Sequence, residues 1–127
     1  MTTPAAPRTA QSVRDLLELR LGVPVSARDS TPTAQVTVGQ VLKQDAARVF
    51  WMVINLGAFV VFIAPATGSG GPSATRGIRL EANGGTATAW WEEDGELTAW
   101  EWQSLAVGGA SSLFVIEVVI DQGARPQ

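Results

Sequence analysis

The sequence predicts a mainly β fold, an antiparallel β-sandwich or jelly-roll-like barrel of about seven strands, preceded by an arm and one short helix. Three observations predict it. Short runs rich in Val, Ile, Phe, Trp and Thr recur along the chain and are separated by turns bearing Gly, Asn and Pro. Only one stretch, Val13 to Leu21, carries the 3-4 apolar spacing of a helix. The 127 residues include 13 Gly and 7 Pro, enough to punctuate many short strands, and 46% apolar content is enough for one buried core.

The elements follow in order. Residues 1–11, MTTPAAPRTAQ, have no apolar periodicity and read as an attachment arm. Ser12 opens the helix, with Asp15 three residues on as a capping-box partner and Gly22 placed to end it. Val13, Leu16, Leu17 and Leu21 form its apolar face. So short a helix is marginal alone and must dock on its own domain or on a neighbour. Pro24 and Pro32 bracket a connector that reads as extended or irregular, and residues 35–43 read as a strand. These assignments divide the chain into an N-terminal segment (1–34), a β body (35–121) and a polar tail (122–127).

The centre of the chain is RVFWMVINLGAFVVFIAP, residues 48–65. Sixteen largely apolar residues from Val49 to Ala64 fall short of the roughly 20 needed to cross a bilayer, and Asn55 interrupts them. Two strands, about 48–55 and 58–64, are expected as a hairpin turning at Asn55-Leu56-Gly57. Both faces of each strand are apolar, which calls for cover on both sides by protein or a partner subunit. A Gly/Ser loop follows at 66–75; it lacks the Lys and helix of a phosphate-binding loop. Strands are then expected at 76–82, 86–91, 98–107 and 113–120, with turns at Asn83-Gly84-Gly85 and Gly108 to Ser111, and an acidic loop at 92–96.

Composition removes whole classes of chemistry. The chain has no Cys and no His, so disulfides, thiol catalysis, imidazole bases and the usual zinc sites are out of reach. Residues 1–48 carry six basic and four acidic side chains, and residues 49–127 carry three and eight. A net charge of −3 with scattered Arg argues against nucleic-acid binding. The N-terminus has no contiguous apolar run of the signal-peptide kind, and no membrane partner is expected.

Two constellations could carry function. Glu92, Glu93, Asp94 and Glu96 stand beside Trp90, Trp91, Trp100 and Trp102. Indole faces flanked by carboxylates suit a sugar groove or a glycosidase, and clustered acids could hold calcium. A solvated acidic loop with Trp as core or interface packing accounts for them more simply, because the spacing lacks the alternating pattern of a calcium loop. Glu117 is the other candidate: a carboxylate within an apolar strand needs a partner, and Arg48 is the natural one. A two-bonded guanidinium–carboxylate pair is expected there, and replacing both members by apolar residues is expected to cost little. No nucleophile, base and oxyanion hole occur together, so neither an enzyme nor a cofactor is expected.

One resemblance emerges from residues 48–120. Arg48, then Val53-Ile54-Asn55-Leu56-Gly57, a second apolar strand, a Gly/Ser loop, Gly77-Ile78-Arg79-Leu80-Glu81-Ala82-Asn83-Gly84-Gly85, and Val115-Ile116-Glu117 are similar to small β-rich virion proteins of tailed bacteriophages. The resemblance implies a structural role in capsid decoration, neck, tail or fibre, commonly as symmetric oligomers. Head decoration is the leading expectation: a homotrimer attached to the major capsid protein through its N-terminal segment, in the virion and, before assembly, in the host cytoplasm. A carbohydrate- or receptor-binding module of a tail or fibre, using residues 90–102, is the alternative.

Overall fold

The computed structural model describes residues 19–67 and 70–121. Nine strands build two antiparallel sheets: β1 (Val25–Ser30), β2 (Thr33–Ala34), β3 (Gly39–Leu42), β4 (Arg48–Asn55), β5 (Val60–Pro65), β6 (Ile78–Leu80), β7 (Gly85–Trp90), β8 (Trp102–Val107) and β9 (Ser111–Ile120). The first sheet runs β1-β9-β4-β7 with β2 also paired to β9; the second runs β3-β8-β5-β6. The sandwich expectation holds, with two more strands than expected. The additional pair, β1 and β2, comes from the stretch read as a connector, so the body begins at Val25 and not at residue 35.

Directly opposed residues share a face, so the registers define the core. Trp51, Val53, Leu113 and Val115 of the first sheet face Leu42, Val61, Ile63, Leu80, Trp102 and Ala106 of the second, all buried. Trp51 and Trp102 meet edge-on with ring centroids 4.8 Å apart. Burial of these indoles and branched aliphatics is the main stabilising contribution, at about 1.5–3 kcal/mol for each large side chain.

The central stretch corrects one expectation. β4 and β5 are not a hairpin: β4 pairs with β7 and β9, whereas β5 pairs with β6 and β8. The segment between them arches from one sheet to the other, which lets Trp51 and Val53 face Val61 and Ile63 across the core. Asn55 is correspondingly not a turn residue. It is buried at the end of β4, where its Nδ2 donates to the carbonyls of Phe59 (2.7 Å), Leu80 (3.1 Å) and Glu81 (3.1 Å). Its Oδ1 accepts from Gly57 N–H and from Ser111 Oγ–H (2.7 Å). Gly57 is required for space: a Cβ there would lie 2.0 Å from Ser111 Oγ and 2.7 Å from Ser112 N. Positive φ is needed instead at Asn83 (62°) and Gly84 (127°), in the β6–β7 turn.

The expected acidic loop is ordered as one helical turn, α1 (Trp91–Asp94), followed by a 3-10 turn at Gly95–Thr98. Its first turn is acidic, which suits a helix N-terminus. The strand expected at 98–107 starts only at Trp102. Residues 19–21 are helical; Val13, Leu16 and Leu17 of the expected helix face lie outside the described residues, and Leu21 is half-buried.

Candidate functional site

Arg48 opens β4 and is 2% exposed, so its charge has to be answered inside the protein. Its Nε donates to Thr98 O (2.8 Å), Nη2 to Trp100 O (2.7 Å), and Nη1 to Lys43 O and Glu117 Oε1 (both 2.9 Å). The structure thus brings together the Arg48 and Glu117 singled out in the sequence. The two-bonded partner of Glu117 is, however, a different residue. Arg28 of β1, directly opposite Glu117 in the register, donates through Nε (3.3 Å) and Nη2 (3.1 Å), and also reaches Asp45 Oδ2 (2.6 Å). Arg48 spends its other donors on backbone carbonyls, which is why it makes a single bond to the carboxylate.

Burial pushes the Glu117 carboxyl up, but hydrogen bonds from Arg28 and Arg48 together with their charges outweigh it and hold the group below the usual carboxylate range. Asp45 follows the same pattern: burial raises it, while the Ala47 N–H (2.9 Å) and Arg28 bring it lower. Sequence reasoning missed Arg28 and Asp45. Arg28 sits between two prolines in a stretch read as extended or irregular; the alternation of polar Ser26, Arg28 and Ser30 with Val25 and Ala27 was the available sign of a strand there.

The four candidate Trp residues separate. Trp102 is 4% exposed, a core residue whose Nε1 donates to Leu97 O (2.9 Å), and it leaves the set of expected interface or glycan contacts. Trp90 and Trp91 are half-buried neighbours with centroids 6.0 Å apart, and Phe50 meets Trp90 edge-on at 6.4 Å. Trp100 is 36% exposed and, with Gln44, Ala66, Thr67 and Glu101, lines a depression of about 330 Å³. Two of the four acidic residues serve the fold: Asp94 accepts the Trp90 N–H (2.8 Å), and Glu92 accepts the Trp90 indole N–H (3.2 Å) and pairs with Arg20; Glu93 and Glu96 are exposed. Among the described residues no group of three potential ligands is placed to hold a metal ion. No helix among them is long and apolar enough to cross a membrane.

A separate feature is the outer face of the first sheet. Phe50, Met52 and Ile54 of β4 stand opposite Val118, Ile116 and Phe114 of β9, and Trp90 continues the row on β7. All seven are half-buried. A sandwich that meets water on its outside alternates apolar-in with polar-out; here both sides of the two central strands are apolar.

No family model matches the chain, and no curated protein matches it. Among solved structures it is similar to a chain of the Bacillus endospore appendages, a family of disulfide-linked pili, with 11% identity and a TM-score of 0.47 over 77% of this chain and 88% of that one. It is also similar to dTDP-4-dehydrorhamnose 3,5-epimerase of Bacillus anthracis strain Ames, solved with TDP and PPi bound. That match has 16% identity and a TM-score of 0.44, over 84% of this chain and 60% of that one. Likeness at this level bears on neither activity nor assembly.

Proposed function

We propose that this chain is a non-enzymatic structural protein of a tailed-phage virion, a head-decoration subunit that attaches through its N-terminal segment and associates with its own kind through strand surfaces. One observation carries the assembly part of this reading: the outer face of the first sheet presents Phe50, Met52, Ile54, Phe114, Ile116 and Val118 together. A continuous apolar sheet face of this kind marks a protein–protein contact. The virion and head placement rest on the sequence resemblance over residues 48–120. Imaging of particles assembled with and without the chain tests both. Added density on the shell is expected; density on the tail overturns the head placement, and absence from particles overturns the virion reading. Ile116→Lys, which puts a charge on the apolar face, is expected to reduce the oligomer to smaller species in light scattering.

A second reading has its own observation. The depression beside Trp100 is also lined by Gln44, Thr67 and Glu101, an aromatic residue among polar ones that suits a sugar ring. Binding on a glycan array that is lost in Trp100→Ala favours this module; no binding by the native chain removes it.

A further inference from the structure

Among the described residues four sheet edges are free, and they are not alike. β3 has four residues and is bulged between Gln40 and Leu42. β6 has three residues and carries Arg79, which pairs with Glu81 just beyond the strand. β1 carries Arg28 and Asp29. Short length, bulges and charge are the devices that keep an edge from pairing with another chain. β7, Gly85–Trp90, has none of them: GTATAW is uncharged, free of Pro, and in unbroken register with β4.

Two independent hydrogen bonds fix which β7 groups point outward. Leu56 N–H donates to Ser112 O, extending the β4–β9 ladder, so the even residues of β4 point to β9 and the odd ones, 51, 53 and 55, to β7. Their partners Ala89 and Ala87 therefore point back to β4, leaving Thr86, Thr88 and Trp90 directed to the open edge, while at the start of the strand Gly84 N–H donates to Asn55 O and Gly85 N–H to Glu81 O. The Trp90 N–H agrees, since it is taken by Asp94 Oδ2 at 2.8 Å rather than by β4. Thr86 and Thr88 are exposed, and among the described residues the outward N–H and C=O groups of both have no partner.

We propose that β7 is a pairing edge whose occupant is the β7 strand of a second copy, antiparallel about a two-fold axis at Ala87. The inference deepens the assembly reading above and rests on it. The edge is self-complementary in this register. Thr86 of one copy lies opposite Thr88 of the other, twice, so all four outward N–H groups of the two residues meet carbonyls. Ala87 faces Ala87 across the axis at a narrow, non-bonded position, where Cα atoms approach to about 4.5 Å and a small side chain is needed. The next pair sets Trp90 against Gly84, which has no side chain to obstruct the indole. The ladder stops there because Asp94 already occupies the Trp90 N–H and Gly84 N–H is turned back to Asn55 O. The acidic α1 segments fall at opposite ends of the ladder, about 20 Å apart along the strand direction, beyond a Debye length at physiological salt. The two first sheets then become one, and the apolar row from Phe114 through Ile54 and Phe50 to Trp90 continues from one copy into the next. Pairing of this kind builds even-numbered oligomers and replaces the expected trimer.

Light scattering of the full chain and of Thr88→Pro tests this. Proline removes an outward donor and its ring blocks the edge, while the bonds of β7 to β4 are untouched. A two-fold fall in mass with unchanged far-ultraviolet circular dichroism is expected. A native chain that is monomeric or trimeric at all concentrations, or a folded Thr88→Pro of native mass, overturns the pairing. Amide hydrogen exchange of the native chain decides the matter if the variant does not fold. Thr86 and Thr88 should be protected at least ten-fold more in concentrated than in dilute solution, with Ala87 and Ala89 unchanged; equal exchange at both concentrations overturns the proposal. Particles that incorporate a native chain shown to lack this pairing keep the assembly reading and discard only the β7 edge.

Discussion

The two ends of β4 solve one problem with different chemistry. Arg48 at its start and Asn55 at its finish are both buried, and each ties three backbone carbonyls of other segments to the strand: Lys43, Thr98 and Trp100 at one end, Phe59, Leu80 and Glu81 at the other. The amide does so without charge and is completed by Gly57 N–H and Ser111. The guanidinium brings a charge, and the charge brings Glu117, Arg28 and Asp45 with it. The ion cluster is thus a consequence of using arginine as a carbonyl clamp. The neutral end should be indifferent to pH and salt, and the charged end should respond to both.

Arg48→Met is the strongest way to break that pairing of ends. It leaves the buried carbonyl of Thr98 and the partly buried carbonyls of Lys43 and Trp100 without this donor and removes one of two cations from Glu117, and it should cost about 3–5 kcal/mol in a denaturant titration. Adding Glu117→Leu is expected to recover little, because the carbonyls of Lys43, Thr98 and Trp100 remain unanswered and Arg28 loses its carboxylate. This revises the near-neutral double replacement that a simple ion pair implies; full recovery in the double variant would show that the carbonyl bonds contribute little. Asn55→Leu comes next, at about 2–4 kcal/mol, since its partners are neutral yet equally buried. A loss below about 0.5 kcal/mol would mean that water or a shifted loop satisfies the carbonyls.

What the sequence displayed follows the same division. Strand positions and the sandwich class were readable because alternation and turn residues are local signals, as in residues 113–120 and Asn83-Gly84-Gly85. The sheet to which each strand belongs was not. β4 and β5 look like a hairpin because a short Leu56-to-Phe59 link with Gly serves a tight turn and an intersheet arch equally well, and only the long-range registers with β7, β8 and β9 decide. Glu117 and Arg48 stood out as charges in apolar runs, whereas Arg28 was hidden in a polar stretch whose strand character comes from pairing with β9. Trp102 and Trp100, two residues apart, seemed to share one face of one strand. The strand starts at Trp102, so one indole is core and the other is exposed.

Acid separates the two ends without mutation. Glu117 and Asp45 are held below their ordinary range in the folded state, so near pH 4 the unfolded chain binds more protons than the folded one. The stability they contribute is complete above the unfolded carboxyl values, about 4–4.5, and is lost as pH falls through the lower folded values. The denaturant midpoint should therefore decline in that window. Glu117→Gln should flatten the decline, whereas Asn55→Leu should lower the whole curve and keep its slope. Equal slopes for the native chain and Glu117→Gln would remove Glu117 as the acid-sensitive group.

The smallest expected effect belongs to Arg28→Ala, and it sharpens the comparison within the charged end itself. Arg28 makes the better-matched fork to Glu117 and a second contact to Asp45, yet its side chain is 46% exposed while that of Arg48 is fully buried. Water already solvates the Arg28 guanidinium, and no loop carbonyl depends on it. Its removal leaves Glu117 still bonded to Arg48 and Asp45 still bonded to the Ala47 N–H. The loss should be below about 1 kcal/mol at low ionic strength and should shrink further near 1 M salt, where the Debye length is about 3 Å. Arg48→Met, in contrast, should cost the same at both salt concentrations, because its hydrogen bonds are shielded from the solvent ions. Denaturant midpoints for the two variants at two salt concentrations make the measurement. An Arg28→Ala penalty equal to that of Arg48→Met, or one indifferent to salt, would place the centre of the cluster at Glu117 rather than in the carbonyl clamp of Arg48.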